Sequence, residues 1–161
     1  MRYALLALGC GVAAFSQPAC AEDAQKKLVG TWKLVSLIST EVESKQEHKL
    51  FGERPSGFIH FGQDGRFFLV ITGEGRKQPQ TDEERAAAFR SMLAYTGPYR
   101  VEGDKYIVKV DVSWAEAWKD TEQVRTFALE GDQLHTETPP VASPALGGRM
   151  TVARLVFDRA K

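Results

Sequence analysis

The stretch Glu122-Gln123-Val124-Arg125 alternates polar and apolar side chains. In an extended strand Gln123 and Arg125 therefore share one face, with Phe127 and Leu129 further along it. A guanidinium on an otherwise apolar face needs an acceptor. Its planar fork matches a carboxylate or phosphate through two parallel hydrogen bonds. A bound ligand would supply that group, and so would an internal carboxylate such as Asp111 or Glu137. Just upstream, SWAEAW (113–118) holds Trp114 and Trp118 in a loop. Two aromatics at a rim suit a flat or apolar ligand, or packing against a neighbouring helix. His60, in GFIHFG, shares a strand face with Phe58. Inside a cavity its near-neutral titration makes it the best general-base candidate, with Tyr106 the other acid/base group available to an enzyme.

Other chemistries lack their patterns. The histidines, His48, His60 and His135, are dispersed and form no metal-binding spacing, so neither metal nor cofactor is expected. RPSGF (54–58) is not a nucleophile elbow, and ALGGR (145–149) lacks the strand–loop–helix context of a phosphate site. With 21 basic and 21 acidic residues and no basic block, nucleic acid is excluded as a natural partner. No catalytic residue is assigned on this basis.

The first 21 residues have the layout of a secretory signal peptide. Arg2 precedes an apolar run from Ala4 to Phe15, then come Pro18 and the small-x-small site Ala19-Cys20-Ala21. Cleavage after Ala21 would export residues 22–161 to the periplasm or medium. A lipid anchor on Cys10 or Cys20 fits less well, because Cys10 leaves too short an apolar region and Gln17-Pro18-Ala19 is a poor attachment context. Both cysteines lie in this leader, so the exported domain would have no disulfide. No later segment is apolar over enough residues to span a bilayer as a helix.

The elements that must position these side chains are mostly strands. Eight runs of strand length recur at about 29–38, 56–62, 65–72, 97–101, 104–113, 121–129, 132–138 and 148–159. Tight Gly/Asp turns, GQDG (62–65), EGD (102–104) and EGD (130–132), form the second, fourth and sixth connections. The odd-numbered connections are the longer ones, at 39–55, 73–96, 114–120 and 139–147. In an up-and-down antiparallel barrel all short turns then fall at one end and all long loops at the other. The prediction is an all-β cup with one inserted amphipathic helix at about 81–95, opened by a Thr81/Glu84 capping box and carrying Ala86, Phe89, Met92 and Leu93 on one face.

Strand parity puts Gly30, Trp32, Leu34, Ser36 and Ile38 on one face, starting at the closed end. The last strand finishes there too, so Arg159 is expected to lie against Trp32. Arg154 is about 17 Å back along the strand and on the other face.

Gly30-x-Trp32 at the start of the first strand resembles the calycin signature. Together with RPSGFIHFGQDGRFF (54–68), AYTGPYRVEGD (94–104) and VDVSWAEAWKDTEQVRTFALEGDQLHTETPP (110–140), it is similar to the bacterial lipocalin-like domain family. The resemblance implies an eight-stranded lipocalin-like barrel with an internal cavity and an arginine stacked on the tryptophan; it does not imply a reaction. The chain departs from the family pattern at two places. Histidines often precede the Val-x-Val-Ser stretch, where this chain has Ile107, Val108 and Lys109, and a common glycine is Asp120.

The expected function is a carrier of a small hydrophobic, optionally anionic, molecule. Leu34, Ile38, Val110, Phe127 and Leu155 would line the cavity, and Arg125, Gln123, Trp114, Trp118 and His60 would hold the ligand. The alternatives are an isomerase or cyclase acting on a hydrophobic substrate through His60 or Tyr106, and a filled barrel working through its surface.

Overall fold

The computed structural model describes residues 18–161. Most of the leader read from the sequence lies outside them. Helix α1 (Pro18–Leu28) leads into β1 (Gly30–Glu41), β2 (Glu47–His48), β3 (Ser56–Phe61) and β4 (Arg66–Thr72). Helix α2 (Asp82–Arg90) is followed by β5 (Met92–Glu102), β6 (Lys105–Lys109) and β7 (Val112–Ser113). Then come β8 (Glu122–Glu130), β9 (Gln133–Glu137), β10 (Val141–Ser143) and β11 (Arg149–Arg159). Eight antiparallel strands pair in the order β1-β3-β4-β5-β6-β8-β9-β11, and β11 pairs back onto β1 to close the barrel. The short strands β2, β7 and β10 add on to β1, β5 and β11. Closure leaves the eight wall strands without a free edge.

The sequence turns do their expected work. Gly103 and Gly131 take φ of 60° and 61°, and each links its strand directly to the next. All tight turns gather at one end of the barrel, here called the base. The loops 42–55, 73–91, 110–121 and 138–148 gather at the other, the mouth.

Three features differ from the sequence reading. Helix α2 stops at Arg90, and Met92 to Tyr95 already belong to β5, paired with Thr72 to Leu69 of β4. The capping box is present: Glu84 N–H donates to Thr81 Oγ1 at 3.2 Å, and Thr81 N–H donates to Glu84 Oε2 at 3.3 Å. No α2 side chain is fully buried, so pairing on the β4 edge wins these residues from the helix. Second, β1 contains a bulge. Leu34 pairs with Phe157 but Ser36 pairs with Val156, leaving Val35 as an extra residue. Beyond it Leu37, Ser39 and Glu41 are buried, while Ser36 and Ile38 are not. Third, α1 was not anticipated. It docks through its fully buried Leu28 and sits at the base.

The base is packed with rings. Trp32, Phe61, Phe67, Tyr106 and Phe157 are almost completely buried. Phe61 meets Phe67, Tyr99 and Tyr106 edge-on, with centroids 5.2–5.3 Å apart, the geometry that aromatic quadrupoles favour. Trp32 Nε1–H donates to Leu28 O at 2.8 Å. The Arg159 guanidinium stacks 4.0 Å above the Trp32 ring. It also donates to Lys27 O and Val29 O, satisfying carbonyls at the end of α1. Trp32 and Arg159 thus fasten the helix to the barrel floor. Arg154 lies on the outer wall, paired with Glu137.

Candidate functional site

The mouth is built chiefly on β8, β5 and the loop between β6 and β8. Register sets Arg125 beside Tyr106 and Gln123 beside Val108. Tyr106 and Val108 are buried and face inward, so Arg125 and Gln123 face the lumen. Phe127 and Leu129 continue that face and pack on the core. Leu34, Val110 and Leu155 are buried as expected. Ile38 is not part of the lining, because the Val35 bulge turns it outward.

Arg125 makes local bonds only. Its guanidinium donates to its neighbour's carbonyl, Val124 O, at 2.7 Å and to Gln123 Oε1 at 3.2 Å. Neither anticipated carboxylate reaches it. Asp111 is held by Arg66 at 2.7 Å, and Glu137 by Arg154 at 2.7 Å, both on the outer wall. Among the described residues no carboxylate forms an ion pair with Arg125. A guanidinium has five N–H donors, so most of its capacity is unspent. Its charge is felt by two phenols. Burial pushes the Tyr95 and Tyr106 hydroxyls above their ordinary value, and the positive charge of Arg125 opposes that rise at both. The Thr136 side chain opposes the rise at Tyr106 as well. Above the aromatic base, which Tyr106 tops, the lumen around Arg125 therefore presents a cation, two neutral phenols and a carboxamide against apolar walls.

Trp118 covers this group. It sits on a single 3₁₀ turn (Glu116–Trp118) and packs on the core. Its ring meets Tyr95 at 5.4 Å and Trp114 at 4.9 Å, both edge-on. Trp114 in turn approaches Phe89 of α2 at 6.4 Å, so the tryptophans both roof the mouth and pack on the helix. Trp114 Nε1 is buried without an acceptor.

His60 is elsewhere. It faces out of the barrel on β3, accepts or donates to Thr31 Oγ1 at 2.9 Å, and lies 6.5 Å from the Phe68 ring. It does not join Arg125, and with it goes the expected general base in the lumen. The alternation in GFIHFG could not decide the face, because both of its faces are apolar.

Two lumen features escaped the sequence reading. Tyr95 was assigned to the helix, so its place above Tyr106 was not visible. Glu41, buried by the shift at the bulge, receives Ser44 Oγ–H at 2.6 Å, His48 Nε2 at 2.7 Å and Arg149 at 2.5 Å. The Ser44 hydroxyl, with His48 and Arg149, holds its carboxyl below the usual range against the opposing effect of burial. This carboxylate ties the 42–48 hairpin to β11 at the rim. Two grooves lie outside the lumen, one of about 280 Å³ across β8, β9 and β11 and one of about 340 Å³ between α2 and loop 74–79. No group of three or more potential metal ligands occurs among the described residues.

The lipocalin-like domain family matches residues 29–160, and the chain belongs to that family. No curated protein matches the sequence. Among solved structures the chain is similar to one titled "REP1-NXSQ fatty acid transporter", at 10% identity, over 84% of this chain and 98% of that one, with a TM-score of 0.39.

Proposed function

From the premise of a lipocalin-like barrel, we propose that this protein carries a small hydrophobic molecule with an anionic head at its mouth. One observation carries the reading: Arg125 faces the lumen, partly buried, with unused donors and no carboxylate of its own. Leaving a buried charge unpaired is unfavourable, and a ligand carboxylate or sulfonate would relieve it with two charge-assisted bonds. Trp118, Tyr95 and Phe127 would then cover the apolar body of the ligand, with Gln123 beside its head.

Titration with 1-anilinonaphthalene-8-sulfonate and displacement by dodecanoate tests this. The expected result is saturable binding that Arg125→Ala weakens at least about tenfold, the size of one lost charge-assisted contact. Equal affinity in the variant would remove Arg125 from the site, and no saturable binding of either probe would remove the carrier reading. An enzyme reading has lost His60, and a buried phenol with a raised pKa is a poor base near neutrality.

Separately, from the leader in the sequence, we propose that the protein is exported, with a signal peptide cut after Ala21. Cleavage there would leave Glu22–Leu28 of α1, and with them Leu28, on the barrel floor. Intact mass measurement on protein from the periplasmic fraction should give a chain starting at Glu22; an uncut chain confined to the cytoplasm would overturn export.

A further inference from the structure

The lumen is not the same all the way round. Apart from aromatic residues, every polar or charged side chain that is buried among the described residues lies on one side of the barrel. These are Ser39 and Glu41 on β1, Thr136 on β9, Ser143 on β10 and Thr151 on β11. Register sets four of them on the inner wall. Thr136 pairs with Phe127 and Leu155, which face inward, and Thr151 pairs with Glu41 nearer the mouth. Ser39 is the inward residue next below Glu41. With Gln123 and Arg125 on β8, polar groups run across the paired strands β8, β9, β11 and β1. The opposite wall is built otherwise. Ile59 of β3, Leu69 and Ile71 of β4 and Val108 of β6 are buried there, and Tyr95 of β5 adds a ring. In a closed ring of eight strands β9 stands across from β4, and β11 across from β5, so the two walls face one another.

Building on the carrier reading above, we propose that the ligand is two-faced: a compact fused-ring acid with hydroxyls along one face, rather than a chain that is polar only at its head. Its carboxylate takes Arg125. Its hydroxyl face turns to Thr136, Thr151 and Ser39, and its bare face lies on Leu69, Ile71 and Tyr95. A plain acyl chain would lay methylenes against the wall hydroxyls and strip them of water with nothing in exchange. Oxygens along one edge of the ligand replace that water. A fused-ring skeleton holds those oxygens on one side without freezing rotors on binding. Glu41 does not repel the acid, because its charge is answered within the rim by Ser44, His48 and Arg149.

Displacement of 1-anilinonaphthalene-8-sulfonate by two isomeric steroid acids tests this. Chenodeoxycholate carries both ring hydroxyls on one face. Ursodeoxycholate has the same formula and charge, with its hydroxyls on opposite faces. Chenodeoxycholate should bind about fivefold more tightly, the size of one hydrogen bond to a sheltered group. Ser39→Ala combined with Thr151→Val should bring the two affinities together, with the far-UV spectrum checking the fold. Should that pair fail to fold, Ser39→Ala alone should narrow the ratio. Chenodeoxycholate is also the more apolar isomer, so a preference that survives these substitutions overturns the proposal. Equal or reversed affinities in the wild type overturn it too. If dodecanoate displaces the probe and neither steroid acid does, the two-faced ligand is excluded and the carrier reading stands. If no compound binds, dodecanoate included, the carrier reading itself has failed and this inference with it.

Discussion

The base and the mouth of this barrel share many residue types but use them differently. At the base an arginine stacks on a tryptophan and donates to Lys27 O and Val29 O, carbonyls of another element. On β8 Arg125 donates only to its neighbours in the chain, Val124 O and Gln123 Oε1. At the base the Trp32 indole N–H has its acceptor; at the mouth the buried Trp114 N–H has none. The bonds at the base tie separate elements together, and those of Arg125 stay within its own strand. Satisfied polar groups and interlocked rings give a rigid floor, whereas an arginine bonded only within its own strand leaves donors for another partner.

Four substitutions sharpen or break this contrast. Trp32→Ala should have the largest effect, lowering unfolding stability by about 3–5 kcal/mol, as for large aromatic truncations in cores. Chemical denaturation measures it, and a loss below about 1 kcal/mol would mean that the base is not where cohesion is concentrated. Trp118→Ala should do the reverse. Its stability cost should be smaller than that of Trp32→Ala, while affinity for 1-anilinonaphthalene-8-sulfonate falls several-fold; a variant that binds the probe as the wild type does would break the roof assignment.

Glu41→Gln probes the exception, a mouth residue that is fully bonded. Because the folded carboxyl titrates below its unfolded value, its contribution is complete above the ordinary glutamate range near 4.5 and is lost as pH falls through the lower folded value. Thermal melts below pH 5 should therefore be less pH-dependent in Glu41→Gln than in the wild type. Identical slopes would show that Glu41 does not hold the rim.

The smallest effect should come from Asp120→Gly. Asp120 has φ of 62°, in the left-handed region that glycine enters without steric cost. Relief of that conformation should stabilise the protein by about 0.5–1 kcal/mol, less the entropy that glycine regains in the unfolded chain. The denaturation midpoint should rise slightly without any change in probe binding.

How much of this was legible in the sequence follows from where the signals are local. Turn chemistry is local, so GQDG and the EGD turns fixed strand number, order and the two ends. The Trp32–Arg159 contact followed from parity at strand ends nearest those turns. Parity failed where a residue was inserted, because nothing in Leu34-Val35-Ser36 marks Val35 as extra. It also failed to orient His60, whose strand is apolar on both faces, and the cause is the exposed wall of Phe58, Phe68 and Val70. Tyr95 was lost for a third reason. Ala-rich residues 86–88 and Met92 favour helix locally, and only the β4 partner, distant in sequence, makes 92–95 a strand. Whether Arg125 would be paired depended on which wall Asp111 and Glu137 faced, and that is a property of closure.

The bulge at Val35 works as a frame shift in the wall. Below it, β1 contributes Trp32 and Leu34 to the interior; above it, the same strand contributes Ser39 and Glu41. Without the extra residue, Ile38 and Thr40 would have lined the throat and Glu41 would have faced solvent. One inserted residue thus lets a single strand be greasy at the bottom of the cup and polar at its lip. In this family, gain or loss of a residue at that point would rewrite the chemistry of the throat without touching any side chain that lines it.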